Sequence, residues 1–356
     1  MSFTVAKEVK MGKYSRRNFL KVAAAGVGAV TLGSVLDACG QVVPTTISPI
    51  DTATSLIEQP ATLSPFPPET LAPATETPTP TNTPLPPPDL VVTSGGEPES
   101  LVRQAILALG GMEKFVPIGS NVIVKPNICV AYHTYEYAAT TNPWVVGTLV
   151  RMCYEAGAAS VKVMDSPFGG TQQKAYEISG IKEQVEAAGG TMATMSPYKY
   201  IRTQIPSAKI LKSTDVYEDI LNADVLINVP IAKQHGSSWL SLGMKNLMGV
   251  IQNRDVLHFS LSQSIADLNA LIKPQLTVVD AVRILTANGP TGGNLADVRK
   301  MDTVIASPDI VAADSFATSL FGLKPENLPY VVFGTSMGLG RSDLQNLNIR
   351  SIRLDA

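Results

Sequence analysis

The chain is poor in the residues that announce common chemistries. It holds three cysteines and three histidines in 356 residues, and its formal net charge is −2. A balance so near neutral leaves no basic footprint, so nucleic acid is not expected as a partner. No HExxH-like pair is present, and the GxGxxG spacing and the lysine of a Walker loop are missing as well. The motifs therefore give no reason to expect a dinucleotide or ATP.

Proline, by contrast, is abundant, and half of its 26 residues crowd between Pro44 and Pro88, so the chain has to be read in parts. Ser15-Arg16-Arg17-Asn18-Phe19-Leu20-Lys21 precedes an uncharged apolar run from Val22 to Leu36. A charged front before a short apolar middle is the layout of a secretory signal, and the paired arginines resemble the twin-arginine export motif. Leu36-Asp37-Ala38-Cys39 resembles a lipobox, with Asp37 in place of the usual small or apolar residue. Cys39 is thus the expected lipidation site and membrane lipid its expected contact; the alternatives are an ordinary peptidase cut or a short membrane anchor. Residues 40–89 repeat Thr-Pro and Pro-Pro without any hydrophobic period. Proline removes backbone donors and favours extended polyproline geometry, which predicts a disordered tether rather than a core. The expected division is a signal with lipobox over 1–39, a Pro/Thr-rich linker over 40–89 and an α/β domain over 90–356.

From Leu90 onward helical and strand patterns alternate. That alternation predicts an α/β fold with a largely parallel layered sheet and flanking helices, either as one domain or as two lobes. Asn121 to Lys125 predicts a short strand, with Pro126 placing Lys125 and Asn127 on a loop at the edge of the sheet. Asn142 and Pro143 have the residue types of a helix start, beside Thr140 and Thr141, whose hydroxyls can cap that helix or meet a ligand. Asp165-Ser166-Pro167 closes an apolar strand, and so does Asp280 after Leu276 to Val279. Most informative is Asp224 to His258. Here an apolar run from Val225 to Val229 closes at Pro230 and is followed by Lys233, His235, Lys245, Asn246, Gly249 and His258. A helix is expected from about Trp239, capped by Ser237 or Ser238. Polar loops at the C-terminal ends of buried strands are where open α/β sheets place ligands.

Together Lys125-Pro126-Asn127, the Thr-Asn-Pro helix start, Asp165-Ser166-Pro167, Lys233-Gln234-His235, Lys245-Asn246-Leu247-Met248-Gly249, His258, Asp280 and Asn288-Gly289-Pro290 resemble the domain of unknown function 362 family. The likeness covers most of Val91 to Ile352, with Gln234 standing where the family shows threonine. Many relatives carry an iron–sulfur module. This chain has only Cys129 and Cys153 in its folded part, too few for a four-cysteine cluster, so the resemblance implies at most a separate redox partner. The family does not supply a reaction, and the cofactor is left open.

The candidate set follows. Lys125, Asp165, Lys233, His235, Lys245 and His258 are the expected catalytic groups. Asn127, Thr141, Ser166, Asn246, Asp280 and Asp314 are the expected ligand-binding groups. Such a set suits an anionic ligand, with a desolvated lysine as base or nucleophile and a histidine exchanging protons near neutral pH. Three functions stay open: an exported enzyme or cofactor protein with a basic pocket, a metal-dependent enzyme using His235 and His258 with a carboxylate, or a non-catalytic ligand-binding lipoprotein. The export machinery is an expected partner in all three.

Overall fold

Val225-Leu226-Ile227-Asn228-Val229 is apolar on both sides except at Asn228, and all five residues are buried. A strand of that composition belongs in the interior of a sheet covered on both faces. The computed structural model describes residues 86–355. The leader, the lipobox, Cys39 and nearly all of the tether lie outside the described residues.

In chain order the elements are β1 (Leu90–Ser94), α1 (Pro98–Ala108), β2 (Asn121–Pro126), α2 (Pro143–Glu155), β3 (Ser160–Val163), α3 (Gln172–Ile178), α4 (Ile181–Ala187) and β4 (Thr191–Met192). Next come β5 (Tyr200–Gln204), β6 (Ser213–Tyr217), α5 (Glu218–Leu221), β7 (Val225–Val229), β8 (Ile231–His235), β9 (Trp239–Ser241) and α6 (Gly243–Asn246). The last are α7 (Leu261–Leu271), β10 (Leu276–Leu285), β11 (Val298–Ser307), α8 (Ile310–Thr318), α9 (Pro329–Ser336) and β12 (Ile349–Arg353). Asn142 caps α2 as its residue type predicts, accepting from the Trp144 N–H at 3.0 Å.

One ten-stranded sheet in the order β12-β1-β11-β10-β7-β2-β3-β4, with β8 and β9 attached beside β10, runs through the described residues. The two-lobed alternative is therefore not what these residues form. The pairs β10–β7, β7–β2, β2–β3 and β3–β4 are parallel, as is β1–β12, while β11 is antiparallel to both neighbours. Alternate strand residues point to opposite faces. Val122, Val124 and Val278 accordingly join a core with residues of α1, α2 and α4. Ile123, Val279 and Ile305 join another with residues of α7, α8 and α9. Apart from this sheet, β5 pairs antiparallel with β6.

Three local expectations are corrected. Lys125 is not on an edge loop but inside β2, where it pairs with Asn228, and Pro126 pairs with Val229. The register of β2 with β3 ends at Val124, so the missing proline N–H falls where that neighbour has already stopped. Asp280 does not end a strand: β10 continues to Leu285, first beside β7 and then beside β8. Trp239 starts β9, not a helix, and no side chain of its own segment caps the α6 that follows. That function falls to Asp314 of α8, whose carboxylate accepts from the Gly243 and Met244 N–H groups at 2.6 and 2.8 Å.

Candidate functional site

The parallel strands β2, β3 and β7 end on one edge of the sheet, and the polar residues after them meet there. Lys125 lies at the base. Its Nζ donates to Asp165 Oδ1 at 2.7 Å, to the Pro126 carbonyl at 2.7 Å and to Asn246 Oδ1 at 3.0 Å, which uses all three ammonium hydrogens. The other Asp165 oxygen accepts from the Ile128 N–H at 2.6 Å. The two side chains are 0% and 3% exposed. Burial pushes the Lys125 amine below its ordinary value, opposed by Asp165.

Gly249 explains why this pair can close. A Cβ at that position would stand 2.2 Å from Asp165 Oδ1 and 2.7 Å from Lys125 Nζ. The close approach that Gly249 allows is an approach to the ion pair itself. Gly249→Ala should drive the two charges apart and lower stability by about 1–3 kcal/mol through overpacking. A thermal melt of the variant checks this, and an unchanged melt would show that the loop yields instead.

Above the pair lies an amide layer. Asn246 Nδ2 donates to Asn228 Oδ1 at 2.8 Å, and Asn127 Nδ2 donates to Asn246 Oδ1 at 3.0 Å. Lys233, 2% exposed, donates to Asn127 Oδ1 at 2.9 Å and to the Ala139 carbonyl at 2.7 Å. The Asn127 N–H donates to Thr141 Oγ1 at 2.9 Å, and that hydroxyl donates to the Val229 carbonyl at 2.8 Å. Buried polar groups are tolerated because they are satisfied in this way.

The layer floors a cleft of about 650 Å³ whose lining includes Asn127, Asp165, Ser166, Lys233, His235 and Lys245, with Asn246, Gly249, Arg254 and His258. Lys245 differs from the other two lysines. Among the described residues its amine has no oxygen acceptor, and its nearest polar contact is Met248 Sδ at 3.7 Å. Burial, reinforced by the charge on Lys233, pushes it down to about 8. His235 Nδ1 accepts from the Ser237 N–H at 3.0 Å, so the neutral ring carries its hydrogen on Nε2. Burial, then Lys245, Lys233 and His258, push that imidazole down to about 3. It is neutral across the physiological range, which does not suit the proton exchange near neutral pH expected of it. His258 is exposed, with Nδ1 3.2 Å from the Arg254 carbonyl.

Other candidates are placed elsewhere. Asp280 does not line the cleft; its carboxylate accepts from the Asn142 and Val282 N–H groups at 2.7 and 3.0 Å, and burial raises it to about 6. Asp314 caps α6, the helix that carries Lys245 and Asn246, and burial raises it to about 7. Thr141 sits one layer behind, holding Asn127. None of the three faces the cleft: Thr141 and Asp314 position residues that do, and Asp280 holds Asn142 at the start of α2. The metal reading needs a third donor beside His235 and His258, and among the described residues no group of three His, Cys, Asp or Glu side chains is arranged to hold an ion. Cys129 and Cys153 are buried free thiols.

Arg254 was not expected. It lines the cleft and its guanidinium donates to the Ser166 carbonyl at 2.5 Å. Nothing in Asn253-Arg254-Asp255 separates it from a solvated charge. Asn228 did leave a signal, since an amide inside an otherwise apolar strand has to find buried partners. Gln234 is accounted for by its Oε1, which accepts from the Gly289 N–H at 2.8 Å and ties β8 to the loop after β10.

Residues 13–33 match the twin-arginine translocation pathway signal sequence, which marks the chain for export across a membrane. No helix among the described residues is long and apolar enough to cross one. A thylakoid-associated protein of Synechocystis sp. is 27% identical over 249 residues, covering 67% of this chain and 74% of that protein. Among solved structures, a Thermotoga maritima protein aligns with a TM-score of 0.41 and 14% identity over 64% of this chain and 60% of its own. The lactate racemase apoprotein of Thermoanaerobacterium thermosaccharolyticum aligns at 0.37 and 11% identity over 60% of this chain and 53% of its own. This chain therefore spans less than two thirds of either solved chain. The family described as Domain of unknown function (DUF362) matches residues 122–319, more than half of the chain and the stretch that supplies every cleft residue named above, and the chain belongs to that family.

Proposed function

We propose that this exported protein binds a small anionic molecule, a carboxylate or a phosphate, in the cleft, and that Lys245 is the group that meets it. The observation that carries this reading is the contrast among the lysines. Lys125 and Lys233 are each held by oxygen acceptors, whereas Lys245 has none among the described residues. Asp165, the buried acid of the cleft, is already neutralised by Lys125. Lys233, Lys245 and Arg254 outnumber Asp255, the other acid on the lining, so the remaining field favours an anion. An amine near 8 also supplies a neutral fraction at physiological pH, which is what a lysine base or nucleophile requires. An enzymatic role is therefore the first form of the proposal, and a binding protein without turnover is the second. Any cluster chemistry would come from a separate redox partner. Acylation of Cys39 would hold the domain at the outer face of the membrane, with residues 40–89 as the tether.

Two measurements test the reading. Mass spectrometry of molecules released on denaturing the exported protein should find an anion in near-unit ratio. Sulfate and malonate keep their charge between pH 7 and 9, so calorimetric titration with them isolates the amine. Affinity should fall as pH rises through about 8, approaching about tenfold per pH unit above it, and Lys245→Met should remove that dependence. Affinity indifferent both to pH and to the substitution would end the proposal. If a reaction is found, turnover lost in a folded Lys245→Ala separates the enzyme from the binder.

A further inference from the structure

A second cavity, of about 380 Å³, opens where the starts of α1 and α2 meet β10 and β11, and no cleft residue lines it. One side is aromatic. The Tyr135 and Trp144 rings lie 5.1 Å apart edge to face, and Trp144 is 41% exposed. The Arg283 guanidinium carbon lies 5.7 Å from the centre of the Tyr135 ring. Asn142 forms the inner wall and is only 4% exposed. Its backbone N–H and its Oδ1 are taken by Asp280 and Trp144, at 2.7 and 3.0 Å. Its Nδ2 makes no hydrogen bond among the described residues and is not sealed off from the cavity, so its hydrogens are open to a ligand.

The acids around this cavity are largely answered. Glu99 is held by Arg151 at 2.8 Å and Arg103 at 3.6 Å, and Asp302 by Lys300 at 3.1 Å. Arg283 has no ion pair among the described residues. What stays open is therefore a planar cation and an unpaired amide donor beside an exposed indole. A carboxylate suits that fork of donors, because guanidinium and carboxylate match in two parallel hydrogen bonds. Glu97 at the mouth is exposed and carries no partner cation among the described residues, which disfavours a polyanion.

We infer that this cavity is a second ligand site, separate from the basic cleft, taking a small monocarboxylate with an aromatic or apolar body. The carboxylate sits between Arg283 and Asn142 Nδ2, and the body lies against Trp144 and Tyr135. The inference does not depend on what the cleft binds.

The chain has two tryptophans, Trp144 and Trp239, so Trp239→Phe in the full chain leaves Trp144 as a local reporter. N-acetyl-L-phenylalanine should produce a saturable change in its emission. N-acetyl-L-phenylalaninamide has the same body without the carboxylate and should bind about tenfold more weakly or worse, and Arg283→Met should cost a similar factor. Circular dichroism checks that the variant is folded. If it is not, the acid and amide pair on the Trp239→Phe chain still decides the matter. Equal binding of acid and amide, a folded Arg283→Met with undiminished affinity, or no saturable signal at millimolar ligand would each overturn the assignment.

Discussion

Lys125→Met should destabilise the folded chain by about 3–5 kcal/mol, the range for removing one partner of a buried ion pair. The substitution leaves Asp165, 2% exposed, with a carboxylate whose remaining bond among those described is to the Ile128 N–H. It also strips Asn246 Oδ1 and the Pro126 carbonyl of a donor. Denaturant unfolding of the full chain measures the loss. Replacing Asp165 as well, in Lys125→Met with Asp165→Leu, should recover part of it, because the unpaired charge is then gone. A single-variant loss below about 1 kcal/mol would mean that water reaches Asp165, a result at the level of an exposed pair.

Lys245→Met should act in the opposite direction, raising stability at pH 7 by about 1–3 kcal/mol. The native amine is lowered from 10.5 to about 8 by burial and by Lys233. Below about 8 both states are protonated, and the folded chain carries the full cost of a charge it does not pair. Between about 8 and 10.5 the unfolded chain binds more protons than the folded one, so wild-type stability rises with pH across that window. The variant lacks the group and should lose that rise. Urea unfolding at pH 7, 8, 9 and 10 tests both statements. A variant less stable than wild type at pH 7 would show that the stem of Lys245 contributes more by packing than its charge costs. The same substitution is expected to remove pH-linked anion binding. Stability gained where binding is lost is the pattern of a group kept for function.

Much of the architecture was legible in the sequence because it rests on short-range physics. Asn142 caps the helix that follows it, since a side-chain oxygen reaches an N–H two residues on. The apolar runs at Val122–Val124, Val161–Val163 and Val225–Val229 became interior strands. Errors fell where a local pattern was interrupted. Asp280 in an apolar run read as a strand end, yet its neighbours Ala281 to Leu285 continue the strand because β8 and β11 offer edges to pair with.

The candidate site divides along the same line. Lys125, Asp165, Lys233, His235, Lys245 and Asn246 could be named from residue type and from position near strand ends. Their roles could not. Lys125 meets Asn246 across 121 positions and Asp165 across 40, Asp314 caps Gly243 across 71, and nothing local separates a satisfied lysine from an open one. By itself the sequence determined the export signal, the alternation of helices and strands, and which polar residues lie near one edge of the sheet. Only the tertiary structure decided which of those residues satisfy one another and which is left facing the cleft. The reason is physical: a buried polar group takes its character from the partner brought to it, and that partner comes with the crossing of strands and helices, not with the neighbouring residue.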